Sequence, residues 1–121
     1  MSDGLEELRA ICLALPEAVE NAENEMARPT FRVRDKIFAW YMDNHHGDAR
    51  VGVWCKAPPG VQQMLVAADP GRFYVPPYVG PRGWVGIRLD VESVDWDEVS
   101  EIVVESYRMT APKNLAKEAS V

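Results

Sequence analysis

Between Arg28 and Lys56 lie three short runs of strand character, of which the first and third alternate residue by residue. Pro29, Phe31 and Val33 alternate with Arg28, Thr30 and Arg32. Residues 36–42 form a second run rich in aromatics. Val51, Val53 and Cys55 then alternate with Arg50, Gly52, Trp54 and Lys56. A period of two belongs to a strand whose successive side chains point to opposite faces. The runs are joined by Arg34-Asp35 and by residues 43–48, both short and of turn composition. Strands on such short connections predict an antiparallel meander with one apolar and one polar face.

The flanks carry helical periods instead. Leu5, Leu8, Ile11, Cys12 and Leu15 make one stripe of a helix that Asp3 and Glu6 are placed to cap and Pro16 to end. Residues 17–25, with Glu17, Glu20, Glu23 and Glu25, read as a solvated loop. After the breaker Pro58-Pro59-Gly60, residues 61–68 predict a short helix with Val61, Met64 and Leu65 inward, followed by a brief strand over 72–75. Alternation resumes at Trp84, with Val85, Ile87 and Leu89 opposite Trp84, Gly86 and Arg88. Asp95 and Glu98 cap a last long helix bearing Val99, Ile102, Val103 and Tyr107, and Pro112 opens a short helical tail.

The expected fold is therefore α+β, in the order α-β-β-β-α-β-β-α, as one domain over residues 1–121. A twisted, mostly antiparallel sheet carries helices on one face, and the other face is at least partly open. Leu8, Ile11, Val53, Ile87, Val99 and Ile102 should meet in the core.

Charge divides the chain. Residues 1–25 hold one Lys/Arg against seven Asp/Glu, residues 26–89 hold nine against four, and residues 90–121 three against eight. The basic middle is the segment that alternates. The net charge of −6 argues against indiscriminate coating of nucleic acid. No apolar run approaches the ~20 residues of a bilayer span, and the acidic start is unlike a secretory signal. A cytoplasmic protein without a membrane role is expected, with Cys12 and Cys55 as buried, reduced thiols.

Strand parity places Arg32, Arg50, Trp54, Lys56, Trp84 and Arg88 on the face away from the apolar residues. Cations and indoles on an open sheet suit phosphates by charge and bases by stacking. The same alternation also arises on any one-sided sheet, where arginine stems cover the surface. His45 and His46, with Asp43 and Asp48, have no further histidine or CxxC to complete a metal set and read as an exposed hairpin tip. No nucleophile elbow or phosphate loop is present in the sequence. Neither a catalytic residue nor a cofactor or metal is expected, and the protein reads as a non-enzyme.

Several segments in order resemble the MmcQ/YjbR-like family: Leu13-Ala14-Leu15-Pro16-Glu17, Pro29-Thr30-Phe31-Arg32-Val33, Lys36-Ile37-Phe38-Ala39, then Phe73, Pro77-Tyr78, Gly83-Trp84-Val85, Ser106-Tyr107 and Ala111-Pro112-Lys113. The resemblance implies a double-wing arrangement like that of bacterial frataxin. It also implies the family's label of DNA binding, which rests on fold analogy. Family members often carry a histidine before the first-strand proline and a glycine-rich turn after that strand; Arg28 and Arg34-Asp35 stand here instead. Weak or modest DNA binding by the basic, aromatic sheet face is the first expectation. A protein- or small-ligand-binding adaptor is the alternative.

Overall fold

The computed structural model describes residues 4–22, 28–43 and 51–119. Six strands form one antiparallel sheet in the order β1-β2-β3-β4-β6-β5. They are β1 (Val19–Asn21), β2 (Thr30–Val33), β3 (Lys36–Asp43), β4 (Val51–Cys55), β5 (Phe73–Tyr74) and β6 (Val85–Arg88). The described residues also form four α-helices: α1 (Leu5–Leu13), α2 (Val61–Ala68), α3 (Trp96–Thr110) and α4 (Lys113–Glu118). No helix among the described residues is long and apolar enough to cross a membrane.

The β2–β3 hairpin turns on Arg34 and Asp35, at φ 50° and 67°. Two successive left-handed residues mark the hairpin turn whose twist matches that of its strands, a place that favours Gly or Asn. Arg34 is held there by a two-pronged ion pair to Glu17, at 2.7 and 2.9 Å.

One face of the sheet, bearing Phe31, Val33, Val53, Cys55, Val85 and Ile87, packs against Leu8 and Cys12 of α1 and Val99, Val103 and Tyr107 of α3. Four of the six expected core residues are buried, while Ile11 and Ile102 are half-buried at its margin. Both cysteines are buried and unbridged, and burial pushes both thiols far above their ordinary range.

Two hydrogen-bonding residues of α3 tie this layer together. Ser106 Oγ–H donates to the Phe38 carbonyl at 2.6 Å, and its oxygen accepts from the Lys56 N–H at 2.9 Å. The Tyr107 hydroxyl donates to the Pro16 carbonyl at 2.6 Å and so anchors the chain leaving α1. The Asp95 carboxylate accepts from the Glu98 N–H at 3.1 Å, the cap expected for α3.

Three expectations need correction. The segment expected as an acidic loop contains edge strand β1. Val19 is exposed, so no apolar alternation announces the strand; backbone pairing to β2 and a 2.8 Å bond from Thr30 Oγ1–H to the Asn21 carbonyl hold it. Met64 of α2 points to solvent, and Gln62 is buried in its place. Helix α1 begins at Leu5 after Gly4, which makes no side-chain cap; Asp3, the expected cap, lies outside the described residues.

Candidate nucleic-acid interface

Strand registers place Trp54 and Arg88 on the sheet face away from α1 and α3. Trp40 pairs with Trp54, Trp54 with Gly86, and Gly52 with Arg88. That face is not open along its length. Trp54 is 1% exposed and Trp84 8%, and both belong to a second apolar cluster with Met42 and Tyr74. The parity was right and the exposure was not: Trp54 offers no surface on which a base can stack.

Two glycines explain the burial. A Cβ on Gly86 would overlap the Tyr74 ring, and one on Gly52 would come within 2.8 Å of its hydroxyl. Together they leave a trough across β4 and β6 in which Tyr74 lies, and the Trp54 Nε1–H donates to Tyr74 Oη at 3.0 Å. Beyond β5 the chain crosses a 3-10 turn, Gly80–Arg82, before β6. Gln62 holds that crossing, its Nε2 donating to the carbonyls of Gly80 at 2.8 Å and Trp84 at 2.5 Å.

What remains accessible is a cleft of about 360 Å³ near the β2–β3 turn. Arg32, Lys36, Lys56 and Arg82 surround it, Trp40, Trp84, Ile37 and Val79 supply apolar walls, and Asp35 is its carboxylate. Lys56 Nζ lies 6.0 Å from the centre of the Trp84 ring, the outer reach of a cation–π contact. Burial, and then repulsion from Lys36, hold the Lys56 ammonium below the ordinary lysine range. Arg32 donates from Nε to Thr30 Oγ1 at 3.1 Å and forms no ion pair with a carboxylate among the described residues.

Elsewhere the arginines are committed. Arg9 pairs with Glu20, Arg28 with Asp43, Arg34 with Glu17, Arg72 with Asp69 and Glu98, Arg88 with Asp90, and Arg108 with Glu105. Among the described residues only Arg32 and Arg82 are arginines without an ion pair, and both line the cleft.

A family model named YjbR matches residues 13–109. The chain belongs to the YjbR family. The crystal structure of Deinococcus radiodurans protein DR2400, of family-model domain DUF419, is similar at a TM-score of 0.75 and 21% identity, over 97% of this chain and 88% of that one. At that identity the likeness speaks for the fold. No curated protein matches the chain. The YjbR match spans all the cleft residues.

Of the expected interface, this YjbR chain brings Arg32, Lys56 and Trp84 into one cleft. Arg88 shares the face by register but sits at its far end, its Nε and Nη2 held by Asp90 at 3.0 Å each. Arg50, His45, His46 and Asp48 lie outside the described residues. Among the described residues no three His, Cys, Asp or Glu side chains gather as a metal set.

Sequence reading missed Lys36, Trp40 and Arg82. A bulge between Phe31 and Arg32 sets Trp40 opposite Thr30, where a regular count through the turn would set Ala39. Arg82 stands in a loop with no period to reveal its direction.

Proposed function

We propose that this YjbR protein is a non-catalytic binding module for nucleic acid, acting in the cytosol, and that the cleft between the β2–β3 turn and the Gly80–Arg82 turn is its binding site. One observation carries the reading: the two arginines that no carboxylate among the described residues pairs stand in the same cleft, with two lysines and two indole walls. In a chain that pairs its other described arginines, cations gathered around one cleft favour an anionic ligand. Lys56 points the same way: burial first, and then Lys36, disfavour its charge, and a phosphate beside it would favour the charged form. Indole walls match the flat faces of bases.

The net charge of −6 opposes approach of a polyanion. Affinity is therefore set in the ~10⁻⁴–10⁻⁶ M range of non-specific complexes. The test is an anisotropy titration of a labelled oligonucleotide at two salt concentrations, for the parent and for an Arg32→Glu/Arg82→Glu variant. The parent should bind with a negative salt slope, and the variant should bind at least about tenfold more weakly with a flatter slope. Equal binding by the two removes the cleft as the site. Absence of parent binding at low salt removes nucleic acid as the ligand.

A further inference from the structure

A second depression adjoins the cleft, and Arg82 belongs to both. It is a groove of about 660 Å³ on the other side of the Gly80–Arg82 turn, floored by Pro58, Pro59 and Gly60 and flanked by Val75 and Met109. Val75 is 52% exposed and Met109 45%, both large for apolar side chains. Arg82 is the one charged residue lining it, so the groove has little of its own to attract a phosphate.

We propose that the ligand is a single strand that lies in both depressions, with Arg82 under the backbone where it crosses the ridge. This rests on the cleft being the nucleic-acid site. Three features carry it. The cleft has apolar walls, among them the half-buried Trp40, which an unpaired base can meet, since paired bases in a duplex present edges. The cations other than Arg82 line the cleft alone, while apolar side chains line both depressions, the combination that holds a backbone while bases lie on side chains. The ridge is also pre-set: Gln62 fixes it from beneath through Gly80 and Trp84. The strand length implied is short, at the low end of the roughly 4–16 nucleotides that a single-strand-binding domain covers.

The experiment uses the full chain and labelled oligothymidylates of two, four and eight nucleotides, with a hairpin duplex of eight base pairs alongside. Parent affinity should rise from two to four or more nucleotides and then level, with the duplex at least about tenfold weaker than the eight-nucleotide strand. Met109→Glu alters an exposed side chain, so the fold tolerates it. It should weaken the eight-nucleotide complex about fivefold or more and leave dinucleotide binding unchanged. Equal binding of duplex and strand, or an eight-nucleotide affinity unmoved by both Met109→Glu and Val75→Glu, overturns the two-depression path. In that case, loss of dinucleotide binding in Lys56→Glu would leave the cleft itself standing. A parent that binds none of the strands overturns both.

Discussion

The indole Nε1–H of Trp54 donates to the phenolic oxygen of Tyr74 at 3.0 Å, twenty residues further along the chain. That bond lies within the second apolar cluster, with Met42 and Trp84, which covers this part of the sheet face. The bond depends on a ring lying flat across two strands, and therefore on glycine at 52 and 86.

Gly86→Ala should destabilise the protein by about 1–3 kcal/mol through overpacking against the Tyr74 ring. A double-mutant cycle with Tyr74→Ala checks the cause. The glycine substitution should cost much less once the ring is gone, giving non-additive denaturant midpoints. Additive midpoints would place the strain elsewhere.

Ser106→Ala should cost about 1–3 kcal/mol, because it leaves the Phe38 carbonyl and the Lys56 N–H without their partner in the interior. For comparison, Val53→Ala should cost about 1–4 kcal/mol by lost burial and cavity formation, and Ile102→Ala less, since it is half-buried. Urea midpoints of the three variants test the order.

Asp35→Asn should tighten oligonucleotide binding without loss of stability. The change removes the carboxylate of the cleft and keeps a residue type that tolerates the left-handed conformation at φ 67°. A several-fold lower Kd with an unchanged Tm is the expected pair of readings. An unchanged Kd at low salt would mean that Asp35 does not face the bound anion.

Binding should weaken with rising pH before an ordinary lysine titrates. Lys56 loses its proton early because burial and Lys36 disfavour its charge, and a bound phosphate favours the charged form. Complex formation therefore takes up a proton, and affinity falls as pH climbs through the Lys56 pKa. Stability moves the opposite way, since the unfolded chain retains that proton longer than the folded one. Titrations from about pH 7 to about pH 10.5 should show the fall in the parent. In Lys56→Arg, which stays charged, the fall should be smaller.

Much of the architecture is legible in the sequence because burial imposes periods. The alternation of Phe31 and Val33, and of Val53 and Cys55, gives the strands and their inner face. The stripe through Val99, Val103 and Tyr107 gives the helix above them. What escapes is what leaves no period. Edge strand β1 buries little, so Val19–Asn21 reads as loop. Arg82 projects from a 3-10 turn, and the bulge between Phe31 and Arg32 sets Trp40, not Ala39, opposite Thr30. Trp54 shows a different limit: its parity fixes the face, but only the position of Tyr74, fixed by strand β5 and two glycines, decides whether that face meets water. Ser106 enters only through the family pattern, while Tyr107 also lies on the stripe of α3, and their hydrogen bonds to Phe38, Lys56 and Pro16 give that pattern a physical cause.

The four tryptophans provide the most direct test of the cleft as the binding site, because each indole N–H gives its own resonance in a ¹H–¹⁵N spectrum. Trp40 and Trp84 wall the cleft, Trp54 is buried against Tyr74, and Trp96 opens α3 against the other face of the sheet. On titration with a short oligothymidylate at low salt, the Trp40 and Trp84 resonances should move in proportion to saturation while Trp96 stays in place. Movement of Trp96 with Trp40 and Trp84 unmoved would contradict the assignment of this cleft as the binding site.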